Sequence, residues 1–225
     1  MSTTTQKAGA LSLRATLRMF VSYGSPALLA LVATGCIVAR IVLGDLGLID
    51  AVVVAGLLAF YPFQEWLIHV FILHQPARKI FGRTFQLNLA KKHKAHHEEP
   101  WELRWVMIPW RTHLVSLAVV LGTLACVTAA ARPYVLTGFA SLWCLGLTYE
   151  WVHFVSHVPY KARSRWLREL VRLHRLHHFK SEENWHGVAT HLADRVLGTY
   201  PDPASTPTSA TCRTLRPEES LTAGT

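Results

Sequence analysis

At 225 residues, with 51% hydrophobic residues, the chain is long enough for one compact unit, and its apolar residues are gathered in blocks. Its formal charge of +9 would suit nucleic acid only if the basic residues shared a soluble face; they flank the apolar blocks instead, so no nucleic-acid partner is read. The four cysteines (Cys36, Cys126, Cys144, Cys212) form no C-x-x-C pair and no disulfide framework.

In chain order, residues 1–10 are polar and read as loose, and 11–23 read as a short amphipathic segment within an N-terminal arm over 1–25. Four apolar blocks follow, near 26–44, 51–73, 113–131 and 134–158, and each approaches or exceeds the ~20 residues a helix needs to cross a bilayer core. Arg40 stands near the end of the first, from where its side chain can snorkel to the headgroups. Gln75-Pro76 ends the second. A basic stretch follows, and then Trp101, Trp105 and Trp110 among Arg104 and Arg111, the composition of a segment at headgroup level. Only Arg132 and Pro133 separate the third and fourth blocks, which predicts a tight helical hairpin. Residues 161–180 read as a basic amphipathic helix on the membrane surface, anchored by Trp166, Leu167, Leu170, Leu173 and Leu176. A membrane domain is expected over 26–200 and a disordered Pro/Ser/Thr-rich tail over 201–225.

The predicted fold class is therefore all-α: an integral membrane protein with about four transmembrane helices and a histidine-rich helical cap. The basic residues lie in the arm, between the second and third blocks, and after the fourth. An even number of spans puts all three regions, both termini and the cap on one side, the cytoplasmic one by the positive-inside rule.

Ten of the thirteen histidines fall into four clusters. His69 and His74 form H-x4-H; His93, His96 and His97 form H-x2-H-H; His153 and His157 form H-x3-H; His174, His177 and His178 form a second H-x2-H-H. Imidazole suits iron, zinc and copper, and ten are too many for one ion and about right for two. Helical geometry puts positions three and four apart on one face, so the members of each H-x2-H-H and the pair His153/His157 point one way. His69 and His74, five apart, share an ion only if the helix loosens before Pro76; otherwise they serve different ions. His113 stands alone and reads as structural. A transporter would place such groups along a path through the bilayer; here they gather at one surface, which suits an enzyme drawing lipid sideways from the membrane. Glu65 and Glu150, each followed by Trp and then a cluster histidine, are candidates to accept the second ring N–H of a ligand, or to make a plain interhelical hydrogen bond.

These clusters, in this order and at span ends, resemble those of the fatty acid hydroxylase / sterol desaturase superfamily of membrane di-iron enzymes. The stretches Tyr61-Pro62-Phe63-Gln64-Glu65-Trp66-Leu67-Ile68-His69, Gly187-Val188-Ala189-Thr190 and Asp194-Arg195-Val196-Leu197-Gly198-Thr199 resemble its short bacterial branch, and the likeness covers roughly 50–200. The resemblance implies a centre of two iron ions held by His69, His74, His93, His96, His97, His153, His157, His174, His177 and His178; zinc, which outcompetes ferrous iron at nitrogen sites, is the expected substitute in isolated protein. It implies O2-dependent hydroxylation of a fatty acyl, sterol-like or sphingolipid-like membrane lipid, with desaturation or carotenoid hydroxylation as the nearest alternatives. Non-catalytic metal binding or transport is the alternative of another class. The chain shows no haem, flavin or iron–sulfur module, so a separate donor of ferredoxin or cytochrome type is implied. His186 and His191 depart from the family pattern; they stand outside the implied ligand set, as candidates to line a cleft or relay protons.

Overall fold

The computed structural model describes residues 10–215, so the arm's first nine residues and 216–225 lie outside the described residues. The described residues are mostly helical. Helix α1 (Leu13–Val21) begins at Ser12, whose hydroxyl accepts from the N–H of Ala15. Its Phe20 enters a cluster with Val106, Met107, Phe154, Val155, Val158 and Val171, so the amphipathic segment is docked on the body. Three segments have the length and apolarity to cross a bilayer: Gly24–Val42 (α2), Leu48–Leu73 (α3, Leu48–Leu67, plus a π-helical turn, Ile68–Leu73) and Leu103–Cys126 (α5, Leu103–Val106, and α6, Trp110–Cys126). Large apolar side chains such as Val42, Val52, Leu58, Phe60, Val115 and Leu121 stand exposed on their outer faces, where lipid would cover them. The third expected span, 113–131, begins earlier than its apolar run and stops at Cys126, before a turn at 128–131.

The fourth expected span, 134–158, is α7 (Arg132–His157), at 26 residues the longest helix. It is not among the three, because its last turns carry Glu150, His153, Ser156 and His157, all buried. Helices α2, α3, α6 and α8 (Arg165–Phe179) all pack on it. A β-hairpin, β1 (Arg78–Ile80) with β2 (Arg83–Phe85), interrupts the helices. Its turn, Phe81-Gly82, has two positive φ values, 49° and 74°. Helices α4 (Asn88–Glu98) and α9 (Leu192–Leu197) complete the fold.

Three expectations are corrected here. Arg40 does not snorkel: it is 4% exposed and paired with Asp50 at 2.6 Å, with Thr137 of α7 bonded to both. Leu170 and Leu173 of α8 are buried in the protein rather than facing the membrane, Leu170 in a cluster with Val152 of α7 and Val188; Trp166 alone of the five expected anchors is largely exposed. Residues 201–215 are not a loose tail but lie folded against α4 and α8, held by side chain and backbone hydrogen bonds.

The Arg40–Asp50 pair sits roughly 28 Å from His69 along α3, at the opposite end of the bundle. Arg40→Met would leave Asp50 buried without its partner. The expected cost is ~3–5 kcal/mol, read as a lowered melting temperature in detergent, and Arg40→Met/Asp50→Leu should recover most of it. A single variant as stable as the natural chain would contradict this.

Candidate metal centre

All ten cluster histidines converge, and they do so as two groups of five. His69, His74, His93, His97 and His177 form the first; His96, His153, His157, His174 and His178 form the second. Within each, one ligand atom from every ring lies within 4.8 Å of the others. Nine of the ten side chains are buried and His74 is half-buried.

Helical geometry explains the sorting. Pairs four apart stay together: His93/His97 in the first group, His153/His157 and His174/His178 in the second. The remaining member of each H-x2-H-H crosses over, His96 to the second group and His177 to the first. Adjacent residues stand about 100° apart around a helix, so His96 and His97 cannot face one ion. The three members of an H-x2-H-H therefore do not act as one set, contrary to expectation, and α4 and α8 each feed both groups.

The expected loosening of the helix before Pro76 is a π turn, and it brings His69 and His74 into the same group. The N–H of His74 donates to the carbonyl of His69 at 3.1 Å, an i→i+5 bond, and the two rings come to 4.8 Å between centroids. A π turn widens the helix by one residue, bringing five-apart positions onto one face just before Pro76.

The inner nitrogens are aimed for coordination. In the first group, Nε2 of His93 lies 3.1 Å from Nε2 of His69, 3.1 Å from that of His74 and 3.2 Å from that of His97. In the second, Nε2 of His174 lies 3.0 Å from that of His157 and 3.1 Å from that of His178. Nitrogens bound at about 2.0–2.1 Å to one ion at near right angles stand about 3 Å apart, so the spacing fits one ion per group. In the first group three of the outer nitrogens are tied to main-chain oxygens. Nδ1–H of His97 donates to the carbonyl of Cys212 at 2.8 Å, that of His177 to Asn184 at 2.8 Å, and that of His69 to His186. A carbonyl can only accept, so the proton is fixed on Nδ1 and Nε2 keeps its lone pair for a metal. In the second group, Nδ1 of His96, His174 and His178 is buried without a partner among the described residues.

Burial, and then neighbouring imidazoles, hold His74, His93, His96, His174, His177 and His178 well below the usual histidine range. His97 is pushed down to about 3, chiefly by burial, against the opposing pull of the Cys212 carbonyl. Neutral rings are the metal-binding form. The sign of the pH effect follows: folded values below the unfolded ~6.5 mean the unfolded chain binds more protons as pH falls. Metal-free protein should thus have a flat melting temperature above about pH 6.5 and lose stability progressively as pH falls from there toward 3. Thermal melts in detergent across that range check this; a flat profile through pH 5 would contradict it.

Behind the first group, the loop 185–190 is held from two sides. Glu65 Oε1 accepts the N–H groups of Val188 and Ala189 at 2.6 and 2.7 Å. Buried Asp194 accepts the N–H groups of His186 and Gly187 at 2.9 and 2.8 Å, the Thr199 hydroxyl at 2.7 Å and the His191 ring at 3.1 Å. Burial alone would raise the Asp194 carboxyl, but bonds from His186, His191, Thr199 and Gly187 outweigh it and hold it below the usual carboxylate range. Gly187 is required by space, since a Cβ there would lie 1.9 Å from the Thr190 carbonyl oxygen. Of the two roles expected for the glutamates, accepting a ligand's ring N–H is taken by neither, and Glu150 makes the interhelical hydrogen bond, to Ser25 of α2. Glu65 fixes the loop whose His186 carbonyl fixes His69, and Glu150 accepts from Ser25 Oγ and from the Ile108 N–H at 3.0 Å. Lone His113 joins that network, with Nε2 2.6 Å from Ser25 Oγ.

His186 stands outside both groups, although its ring is 5.3 Å from that of His177; His191 faces Asp194 and Tyr200. Sequence reasoning missed the carbonyls of Asn184, His186 and Cys212 and the role of Asp194. Backbone acceptors leave no trace in residue identity; Asp194 stood inside a quoted motif without an assigned task. A cavity of about 60 Å³ touches His93 of one group and His153 of the other, and Tyr149, Ile108, Trp105 and Arg104 also line it.

The fatty acid hydroxylase family model matches residues 53–199. Two dihydroceramide fatty acyl 2-hydroxylases of Arabidopsis thaliana are similar in sequence. FAH2 is 29% identical over 68% of this chain and 62% of its own length, and FAH1 is 27% identical over 82% and 76%. The chain thus spans about three-fifths of the first of these relatives. A solved structure of full-length Scs7p, with only the hydroxylase domain visible, superposes with a TM-score of 0.64 at 21% identity, covering 90% of this chain and 76% of that one.

Proposed function

Because the chain belongs to the fatty acid hydroxylase family, we propose that it hydroxylates a C–H bond of a membrane lipid with O2 at the two five-histidine groups. The observation that carries this is the convergence of ten buried or half-buried imidazoles, without a carboxylate among them, into two groups of five at one end of an apolar bundle. The net reaction is RH + O2 + 2e⁻ + 2H⁺ → ROH + H2O. The ligands are His69, His74, His93, His97 and His177 for one iron ion, and His96, His153, His157, His174 and His178 for the other. Bound iron supplies the O2 reduction and the oxidising power to take hydrogen from an unactivated carbon.

The protein's own residues do the rest. Main-chain carbonyls hold three rings in the metal-binding tautomer. Buried Trp185 and Val188 keep bulk water away from the first group. The cavity between His93 and His153 is where the reacting carbon approaches both groups. Helix α7 serves as a fourth crossing, enclosed by the other three, which leaves both termini and the centre on the cytoplasmic side with the basic regions. Exposed Arg163, Arg165 and Arg168 offer a docking face to an acidic ferredoxin or cytochrome. The substrate class is an acyl lipid of sphingolipid type, the reading the two plant relatives favour. Zinc binds nitrogen sites more tightly than ferrous iron, so isolated protein carrying zinc would be inactive.

Lipid mass spectrometry of aerobic, iron-supplied cells expressing the natural chain or His177→Ala tests this. A lipid gaining one oxygen only with the natural chain is expected. A loss of two hydrogens would replace hydroxylation by desaturation, and metal bound with no lipid change despite supplied donor and acyl lipids would favour the non-catalytic reading.

A further inference from the structure

Resting on that two-ion reading, we infer that residues 209–213, beyond the stretch matched by the family model, form a strap that positions the His97 side of the centre. The strap joins the ends of the two helices that carry the H-x2-H-H clusters. On the α4 side, the Cys212 carbonyl accepts Nδ1–H of His97 at 2.8 Å, and Arg213 donates to the carbonyls of His97 and Glu98 at 3.0 and 2.7 Å. On the α8 side, the Ser209 N–H donates to the Lys180 carbonyl at 2.7 Å, and the Ser209 and Thr211 hydroxyls donate to buried Glu182. The Arg213 guanidinium also lies 5.4 Å from the centre of the Phe179 ring, next to His178. Cys212 itself is 6% exposed, so the strap is seated rather than draped.

Physical chemistry gives this contact a task. The last carbonyls of a helix have no intrahelical partner, and Arg213 satisfies two at the end of α4. The Cys212 carbonyl decides which nitrogen of His97 carries the proton and fixes the ring's direction. Both effects reach the first group through His97. The His97 ring also lies 4.1 Å from that of His178, but among the described residues the strap's hydrogen bond to a ring goes to His97 of the first group, and the three first-group rings bonded to carbonyls draw them from different segments: Cys212, Asn184 and His186. Arg213 and Glu182 are thus positioning residues acting through the strap.

The test is the rate at which a chelator removes Zn²⁺ from zinc-loaded full-length protein in detergent. The natural chain should release two ions per chain in two phases. In Arg213→Ala/Glu182→Ala, one phase should quicken about 10- to 100-fold, the usual effect of losing a ligand's hydrogen-bond partner, while the other stays unchanged. Arg213→Lys should restore part of the loss. Arg213→Ala alone, which leaves the Glu182 contacts in place, is read the same way if the double variant does not accumulate. Release at the natural rate, or equal quickening of both phases, would overturn the strap. A natural chain holding fewer than two ions would instead overturn the two-ion reading, and the strap with it.

Discussion

His177→Ala is expected to empty the first histidine group of its ion and bring lipid hydroxylation down to background. The His177 ring is fully buried, its Nδ1–H is held by the Asn184 carbonyl at 2.8 Å, and its Nε2 lies 3.2 Å from that of His74. Alanine removes one of five donors and opens a void where the ring packed. Altering a ligand's hydrogen-bond partner already costs about 10–100-fold in metal affinity or activity, so losing the ligand should cost more. None of the three apolar spans contains His177, so the variant should reach the membrane in normal amount. Metal analysis of the same purified protein should show one ion retained in the second group. Two ions and full turnover would remove His177 from the ligand set.

Glu65→Ala should be nearly as damaging, although Glu65 touches no histidine ring in either group. Its Oε1 holds the Val188 and Ala189 N–H groups inside the protein. Without it two buried donors lose their acceptor, at about 1–3 kcal/mol each, and the loop that presents the His186 carbonyl to His69 loosens. The expected outcome is a lower melting temperature together with metal loss from the first group. Glu65→Gln keeps an oxygen at that place and should behave much closer to the natural chain. Gln as harmful as Ala would mean that the charge, rather than the acceptor geometry, matters; Ala without effect would sink the positioning role.

The ten histidines were legible because chemistry and helical spacing agree: imidazoles three and four apart on helix ends have few other reasons to accumulate. How they divide was not legible from the motifs as units. The division depends on the 100° step between His96 and His97, and on a π turn whose i→i+5 bond no residue type dictates. The apolar spans could be read from composition. Helix α7 could not be placed as firmly, because one helix both crosses the bundle and delivers ligands, and its polar turns lower the hydropathy that marks a span. Arg40 looked like a snorkelling residue because its partner Asp50 lies across a turn in the next helix. The segment 201–215 looked disordered because its composition offers little to bury; it is held by main-chain carbonyls and by Glu182 and Arg213, contacts that composition does not register.

The most direct test of the whole account is isotopic. Iron-supplied cells expressing the natural chain are grown under ¹⁸O2, and their lipids are compared with those of cells expressing His177→Ala. The account predicts an acyl lipid bearing one new hydroxyl that carries ¹⁸O, present only with the natural chain. A new hydroxyl whose oxygen comes from water, or one formed equally by His177→Ala, would contradict a histidine-held O2-activating centre.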